Sequence, residues 1–423
     1  MDNSFKGAII LVINYVDSLF VFLCTILVFL MTPALAMFYG GMVRSKNVLN
    51  TNMHSFALYA IVSVQWIFIG YSLAFGPDVF GVVGNFQHLF MNGVSNSVAV
   101  SGQTIPQSLF LMYQMAFAVI TPALVSGSVA ERIKFSSFLV FITAWCFLVY
   151  DPVAHWVWGT GGWLANLGVK DFAGGYVVEI LSGVSGLVAA IVVGKRQNIA
   201  HAKPHQIPLS LFGAGVLIFG WYGFNAGSAL AFNGVAINAF ITTNTAAACG
   251  MIAWAGVEWI RSGKPTALGV VSGAVSAMVA ITPCAGFVDV GGSVAIGLIA
   301  GALCYFAVTV VKHKFGYDDT LDVFGCHGVG GTIGVILLGV FATTNAMPAD
   351  KGGVNGLFYG GGFNQLFIQL IGVVAVYAFA IVMTYAILKV VDKTMGLRTS
   401  PENEAIGLDV SDHGEKAYGD LVI

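Results

Sequence analysis

Long apolar runs separated by short polar loops dominate the chain. A helix that crosses a bilayer needs about 20 mostly apolar residues. Eleven stretches qualify: 17–41, 52–76, 105–130, 135–157, 173–194, 207–231, 236–260, 266–287, 290–311, 324–344 and 364–391. The pattern predicts an all-α polytopic membrane protein with eleven transmembrane helices. Several of these runs contain glycine and serine, which membrane helices use where they approach one another closely. Gly269-x-x-x-Gly273, Gly297-x-x-x-Gly301 and Gly330-x-x-x-Gly334 read as such contact faces.

Charge sharpens this picture. Only 9% of the 423 residues are charged and 57% are apolar, against about 25% charged in an ordinary soluble domain. A soluble enzyme, a nucleic-acid binder and a disordered protein are thereby excluded, and a net charge of −2 points to no polyanionic partner. Lysine and arginine favour cytoplasmic loops. One alternating set of loops together with the tail holds 15 of them, and the opposite set holds 3: Lys6, Lys170 and Lys351. This split predicts the N-terminus outside, the C-terminus inside and an odd number of spans. The expected organisation is an extracytoplasmic segment 1–16, a membrane domain 17–391 and a cytoplasmic tail 392–423, which carries ten of the 38 charges. No basic stretch and small-residue cleavage site of signal-peptide type is visible before the first apolar run. Asp171-Phe-Ala-Gly-Gly, opening the fifth span, is echoed by Asp322-Val-Phe-Gly at the tenth. Two inverted five-helix repeats, about 17–194 and 207–344, followed by a last helix 364–391, are therefore expected, with a functional site where the halves meet.

Candidate chemistry is sparse. An ionisable group inside a spanning helix is costly and marks function by default. Two residues lie well inside the predicted spans: Glu179, about 12 Å beyond Asp171 at 1.5 Å per residue, and His327, five residues past Asp322. Entering from opposite faces, they could meet near the middle. Satisfied interhelical hydrogen bonding is the plainer reading of each. Trp158, Ser228, Phe224 and Phe117 share one depth near the outer face, with Trp221 a turn below Phe224. A funnel of ring faces and a hydroxyl suits a small cation, although any one of these aromatics could equally face lipid. Asp171 and Asp322 fit helix N-caps as well as ligands, and Asp151 and His155 around Pro152 have no assigned role. The six cysteines read as small buried hydrophobes. Cys326 beside His327 is too little for a metal site, so no metal and no cofactor are expected.

With these residues on the page, the chain resembles the ammonium transporter family (the Amt/Mep/Rh group). The resemblance runs end to end through Phe38-Tyr-Gly-Gly-Met-Val-Arg-Ser-Lys, Glu131-Arg-Ile-Lys-Phe, Asp171-Phe-Ala-Gly-Gly-Tyr-Val-Val and Gly220-Trp-Tyr-Gly-Phe-Asn-Ala-Gly-Ser. It continues in Asp322-Val-Phe-Gly-Cys-His-Gly-Val-Gly-Gly and Gly407-Leu-Asp-Val-Ser-Asp-His-Gly-Glu-Lys-Ala-Tyr. The resemblance implies a homotrimer in a prokaryotic inner (plasma) membrane, with one narrow pore per subunit for ammonium or ammonia, and methylammonium as an analogue. It assigns Trp158, Ser228 and Phe117 to an outer ammonium site, with Asp171 as its supporting acid. Phe117 and Phe224 become a stacked gate, Trp221 a pore-lining aromatic, and His327 the second of two pore histidines. The tail is implied to couple to a PII-type (GlnK-like) regulator. Glu179 departs from the pattern, standing where most bacterial members carry the first pore histidine.

The expected mechanism is capture of ammonium, its deprotonation, and passage of ammonia through an apolar pore, with proton handling at the Glu179/His327 pair. The rivals are an ammonium sensor with little flux, disfavoured in fused form because no signalling domain follows the tail, and a passive gas channel. A potassium channel lacks its T-V-G-Y-G filter, and no nucleophile–base pair or metal triad suggests an enzyme.

Overall fold

Each predicted apolar stretch is a helix in the computed structural model, which describes residues 12–100, 102–197, 199 and 202–419. Lys6 and most of the segment 1–16 lie outside the described residues, as do the last four of the tail. The helices are α1 (Tyr15–Met42), α2 (Ser45–Phe75), α3 (Gln107–Val129), α4 (Phe135–Leu167), α5 (Gly175–Val193), α6 (Ile207–Gly227), α7 (Gly234–Ser262), α8 (Ala267–Ile281), α9 (Val290–Phe315), α10 (Phe324–Phe341) and α11 (Asn364–Met395). Two short tail helices follow, α12 (Pro401–Ile406) and α13 (Leu408–His413).

Ten of these are long and apolar enough to cross a membrane, and α8 is shorter than its predicted span. Pro283 explains the difference: it has no N–H to offer and restricts the residue before it, so the helix stops at Ile281 with Thr282 as its cap. The chain continues as a buried turn whose carbonyls are answered by protein. Thr242 Oγ1 donates to Ala285 O at 2.8 Å, and Asn238 Nδ2 donates to Val288 O at 2.9 Å. Non-helical backbone is stable at membrane depth only when it is covered in this way.

The three glycine pairs lie on helix contacts. A Cβ on Gly273 would come within 2.5 Å of Gly250 O in α7, one on Gly301 within 2.6 Å of the same atom, and one on Gly334 within 2.2 Å of Ala280 O in α8. Helix α1 packs chiefly on α6, α7 on α8 and α9, and α11 lies across α4, α5 and α10. The centre is the crossing of α5 with α10.

One end of the bundle, the N-face, is where α1 begins. At the other, the C-face, the basic loops gather around buried acids. Arg44 Nε and Arg196 Nη1 lie 2.9 and 2.7 Å from the two oxygens of Glu131, and Arg196 Nη2 lies 2.8 Å from Asp318. Burial alone would raise both carboxyls. Arg196 and Arg44 hold Glu131 below the ordinary range, and Arg196 with Arg132 pulls Asp318 down to about 2.

Candidate functional site

A cavity at the N-face reaches the start of α5, and a narrow slot lies at the α5–α10 crossing. At the N-face a cavity of about 420 Å³ is lined by Trp158, Phe117, Asp171 and Ser228, together with Tyr71, Gln107 and Tyr113. Asp171 caps the first turn of α5: its Oδ1 accepts from Gly174 N and Gly175 N at 2.8 and 2.7 Å, and its Oδ2 from Tyr176 N at 2.8 Å. Its backbone carbonyl in turn accepts from Trp158 Nε1 at 3.1 Å. Both readings of Asp171 therefore meet in one residue, a cap that also fixes the indole. Ser228 commits its hydrogen to Phe224 O at 2.9 Å and shares its oxygen with the Tyr113 hydroxyl at 3.2 Å.

Phe117 closes the floor of the cavity. Its ring lies 4.2 Å from that of Phe224, tilted by 33°. Phe224 belongs to the far side: it lines a slot of only about 20 Å³, not the cavity. The slot is walled by aliphatic side chains and Trp221, whose indole N–H is already given to Thr282 Oγ1 at 2.9 Å. That leaves Glu179 and His327 as its polar lining. A volume of this size holds about one water.

Glu179 Oε2 and His327 Nδ1 lie 2.7 Å apart, both buried. Each side chain projects from a π-helical turn, Gly175–Ile180 in α5 and Phe324–Gly328 in α10, a distortion that recurs at functional positions. Close crossing needs the glycine four residues beyond each. A Cβ on Gly183 would meet Gly328 N at 2.1 Å, and one on Gly331 would meet Glu179 Cβ at 2.8 Å. The two halves of the site are thus related by a constant offset of 148 residues, 179 to 327 and 183 to 331. The same offset corrects the sequence echo. The counterpart of Asp171 is Asp319, whose Oδ2 accepts from Phe324 N at 2.8 Å. Asp322 pairs instead with Lys312 at 2.6 Å.

The profile of the Ammonium Transporter Family matches residues 19–418. The chain belongs to the ammonium transporter family. An ammonium transporter of Bacillus subtilis is 52% identical over 404 residues, covering 96% of this chain and 98% of that one. One from Aquifex aeolicus is 50% identical over 394 residues, covering 93% and 90%. Among solved structures, Saccharomyces cerevisiae Mep2 superposes with a TM-score of 0.87 at 34% identity, over 97% of this chain and 93% of that one. The protein is therefore an ammonium transporter, a multi-pass membrane protein whose substrate is ammonium, and not an enzyme.

Below the slot, a C-face vestibule of about 260 Å³ is lined by Arg44, Glu131, Arg196, Lys203 and Asp322. The transporter's tail is stapled beside it. Glu404 accepts from Gln197 N and Arg398 Nη2 at 2.6 and 2.8 Å, and Lys46 Nζ donates to Glu404 O and Ala405 O. Asp409 Oδ1 accepts from Asn50 N at 2.8 Å, and Asp412 Oδ2 from Phe135 N at 3.3 Å.

Sequence reasoning missed two kinds of residue. Tyr113 and Gln107 are neutral and leave no mark on the hydropathy pattern, although Tyr113 stands one turn before Phe117 on α3. Three further ionisable residues are wholly buried within spans, His54 in α2 and Asp151 and His155 in α4; the sequence reading passed over His54 and left the other two without a role. All three lie toward the ends of the predicted spans, where a polar group reads as interfacial.

Proposed function

We propose that the transporter captures ammonium between Trp158, Phe117 and Ser228, strips it of a proton, and passes ammonia by Phe117 and Phe224 into the slot. The observation that carries this reading is the buried Glu179–His327 contact lining a one-molecule slot otherwise walled by apolar side chains. Moving a bare ion into a medium of ε ≈ 4 costs on the order of 20 kcal/mol before relaxation, and an apolar wall offers nothing in return. Ammonium escapes that penalty by giving up its proton. Potassium, alike in size and charge, has none to give. Ring faces and the Ser228 oxygen can hold the cation before the step. Asp171 supports the site by capping α5 and holding Trp158, and Trp221 completes the pore wall.

The released proton passes to Glu179 and His327, which titrate as one coupled unit. A carboxylate in place of the first pore histidine keeps a proton carrier at that position. The matched offset between the halves supports two inverted five-helix repeats and a final helix. The concentration of basic residues at the C-face supports placing that face in the cytoplasm and the N-face outside, with 17–391 as the transport domain. The same reading takes the prokaryotic inner membrane as the location, a homotrimer as the assembly, and a PII-type (GlnK-like) protein as the partner that meets tail 392–423.

Solid-supported-membrane electrophysiology on proteoliposomes tests the mechanism. Wild type should give current on an ammonium or methylammonium jump and none on a potassium jump. Glu179→Gln should abolish the ammonium current. Full, ammonium-selective current in that variant would defeat the relay.

A further inference from the structure

Asp151 lies outside the cavity, the slot and the vestibule, yet it is the more unusual intramembrane acid. It is 0% exposed and sits roughly 24 Å along α4 from Phe135 at 1.5 Å per residue, inside an apolar layer about 30 Å thick. Its Oδ2 accepts one hydrogen bond, from Gln65 Nε2 of α2 at 2.7 Å. Among the described residues no cation pairs with it. The titratable groups beside it on α4 are Cys146 and Tyr150. His155, a turn further, has both ring nitrogens taken by Ala74 O and Asp78 Oδ1. From α2 it meets only the amide.

Two atoms of the pair are left over. Asp151 Oδ1 and Gln65 Oε1 are both buried and receive no donor. Gln65 forms part of an open apolar groove of about 450 Å³ with Ile61, Val64, Phe68, Thr143 and Phe147, and Val64 and Phe68 are half-exposed on the membrane-facing side. A lone carboxylate next to hydrocarbon is strongly disfavoured, and so are two buried acceptors without a donor, here on side chains already joined by one hydrogen bond. One proton removes both penalties, because a neutral carboxyl has an O–H donor where the carboxylate has none.

We propose that Asp151 is a proton-binding site, held as a neutral carboxylic acid. Its O–H donates to Gln65 Oε1 while Gln65 Nε2 donates back, closing an acid–amide clamp between α2 and α4. The clamp joins two π-helical turns, Trp66–Gly70 directly after Gln65 and Cys146–Tyr150 directly before Asp151. Its effect reaches the transport site through rings. Tyr150 lies 6.2 Å from Trp66, and Trp66 lies 6.2 Å from both Tyr71 and Phe75, which line the N-face cavity. Asp151 is thus a positioning residue for the wall of the capture site and carries no proton along the pore.

Infrared difference spectroscopy of the reconstituted full chain near neutral pH tests the proton directly. A protonated-carboxyl band, shifted by deuterium exchange, should be present in wild type and Glu179→Gln and lost in Asp151→Asn. Absence of any such loss overturns the proposal. Asp151→Asn keeps two hydrogen bonds without a charge, so its half-saturating ammonium concentration should stay within about twofold of wild type, whereas Asp151→Leu should raise it on the order of tenfold. Loss of transport in Asp151→Asn would mean that the charge itself is needed, which also overturns the proposal. Should Asp151→Leu fail to accumulate, the spectra of wild type and Asp151→Asn decide alone.

Discussion

At the residue scale, the proposed capture of ammonium turns on which atoms remain free to meet a cation. The indole N–H of Trp158 is tied to Asp171 O, so what the side chain presents to the cavity is its ring face. Ser228 has given away its hydrogen, so it offers an oxygen. Both are acceptors of positive charge, and their loss should be felt in binding more than in turnover. Trp158→Leu is expected to raise the half-saturating methylammonium concentration by about tenfold, the worth of a partly desolvated cation–π contact, while the current at saturation changes less. An unchanged half-saturation in a concentration series of currents would remove Trp158 from the site. At this scale the sequence was most informative where a residue was improbable in its surroundings. Glu179 and His327 stand out because charges are rare inside apolar helices, and the structure sets them 2.7 Å apart. Tyr113, Gln107 and Gln65 were invisible by the same logic, since a neutral polar side chain scarcely disturbs the pattern. Asp322 attracted notice through its neighbours, Val-Phe-Gly, while the true match to Asp171, Asp319, lay three residues earlier in a less similar context.

At the scale of the element, the helices are as informative where they depart from regularity as where they keep it. Turns of π-helix carry Glu179 and His327, and a proline ends α8 early; none of these interrupts the run of apolar residues from which the spans were read. Most span ends were legible to within about four residues, although α2 starts seven earlier, α4 runs ten further and α8 stops six short; the distortions that aim the side chains were not legible. The α5–α10 crossing makes this concrete. Gly183 faces backbone, since an added Cβ would stand 2.1 Å from Gly328 N, and backbone cannot rotate out of the way as a flexible side chain can. Gly183→Val should push the two helices apart, destabilise the protein by about 1–3 kcal/mol as overpacked cores do, and lengthen the Glu179–His327 contact. A fall in the unfolding temperature in detergent, together with loss of ammonium current, is the expected pair of results. Wild-type current from Gly183→Val would show that the crossing tolerates spreading.

Across the whole molecule, polar free energy is concentrated at the C-face, where the loop acids hold the arginines and the tail in place. Asp318 titrates well below its ordinary value, and the sign follows. A carboxyl with a depressed folded pKa stabilises the protein above its unfolded pKa and loses that contribution as pH falls toward the folded one. For Asp318 the window runs from 3.8 down to about 2. Wild type should unfold at higher temperature than Asp318→Asn at neutral pH, with the gap narrowing below pH 4 and closing near pH 2. A gap independent of pH across that range would contradict the assignment. The tail offers a second test. Asp409→Ala leaves Asn50 N at the start of α2 without its acceptor and should cost about 1 kcal/mol, as the loss of a helix cap does. In a thermal melt the variant should unfold early, and limited proteolysis should cleave the tail faster than in wild type.

The slot behind Phe224 has room for about one water-sized molecule. On the proposed route such a chamber makes transport a queue of one. Crowding more cargo at the mouth shortens the wait for the next arrival but cannot put two travellers inside, so throughput must level off at the rate at which the present occupant leaves.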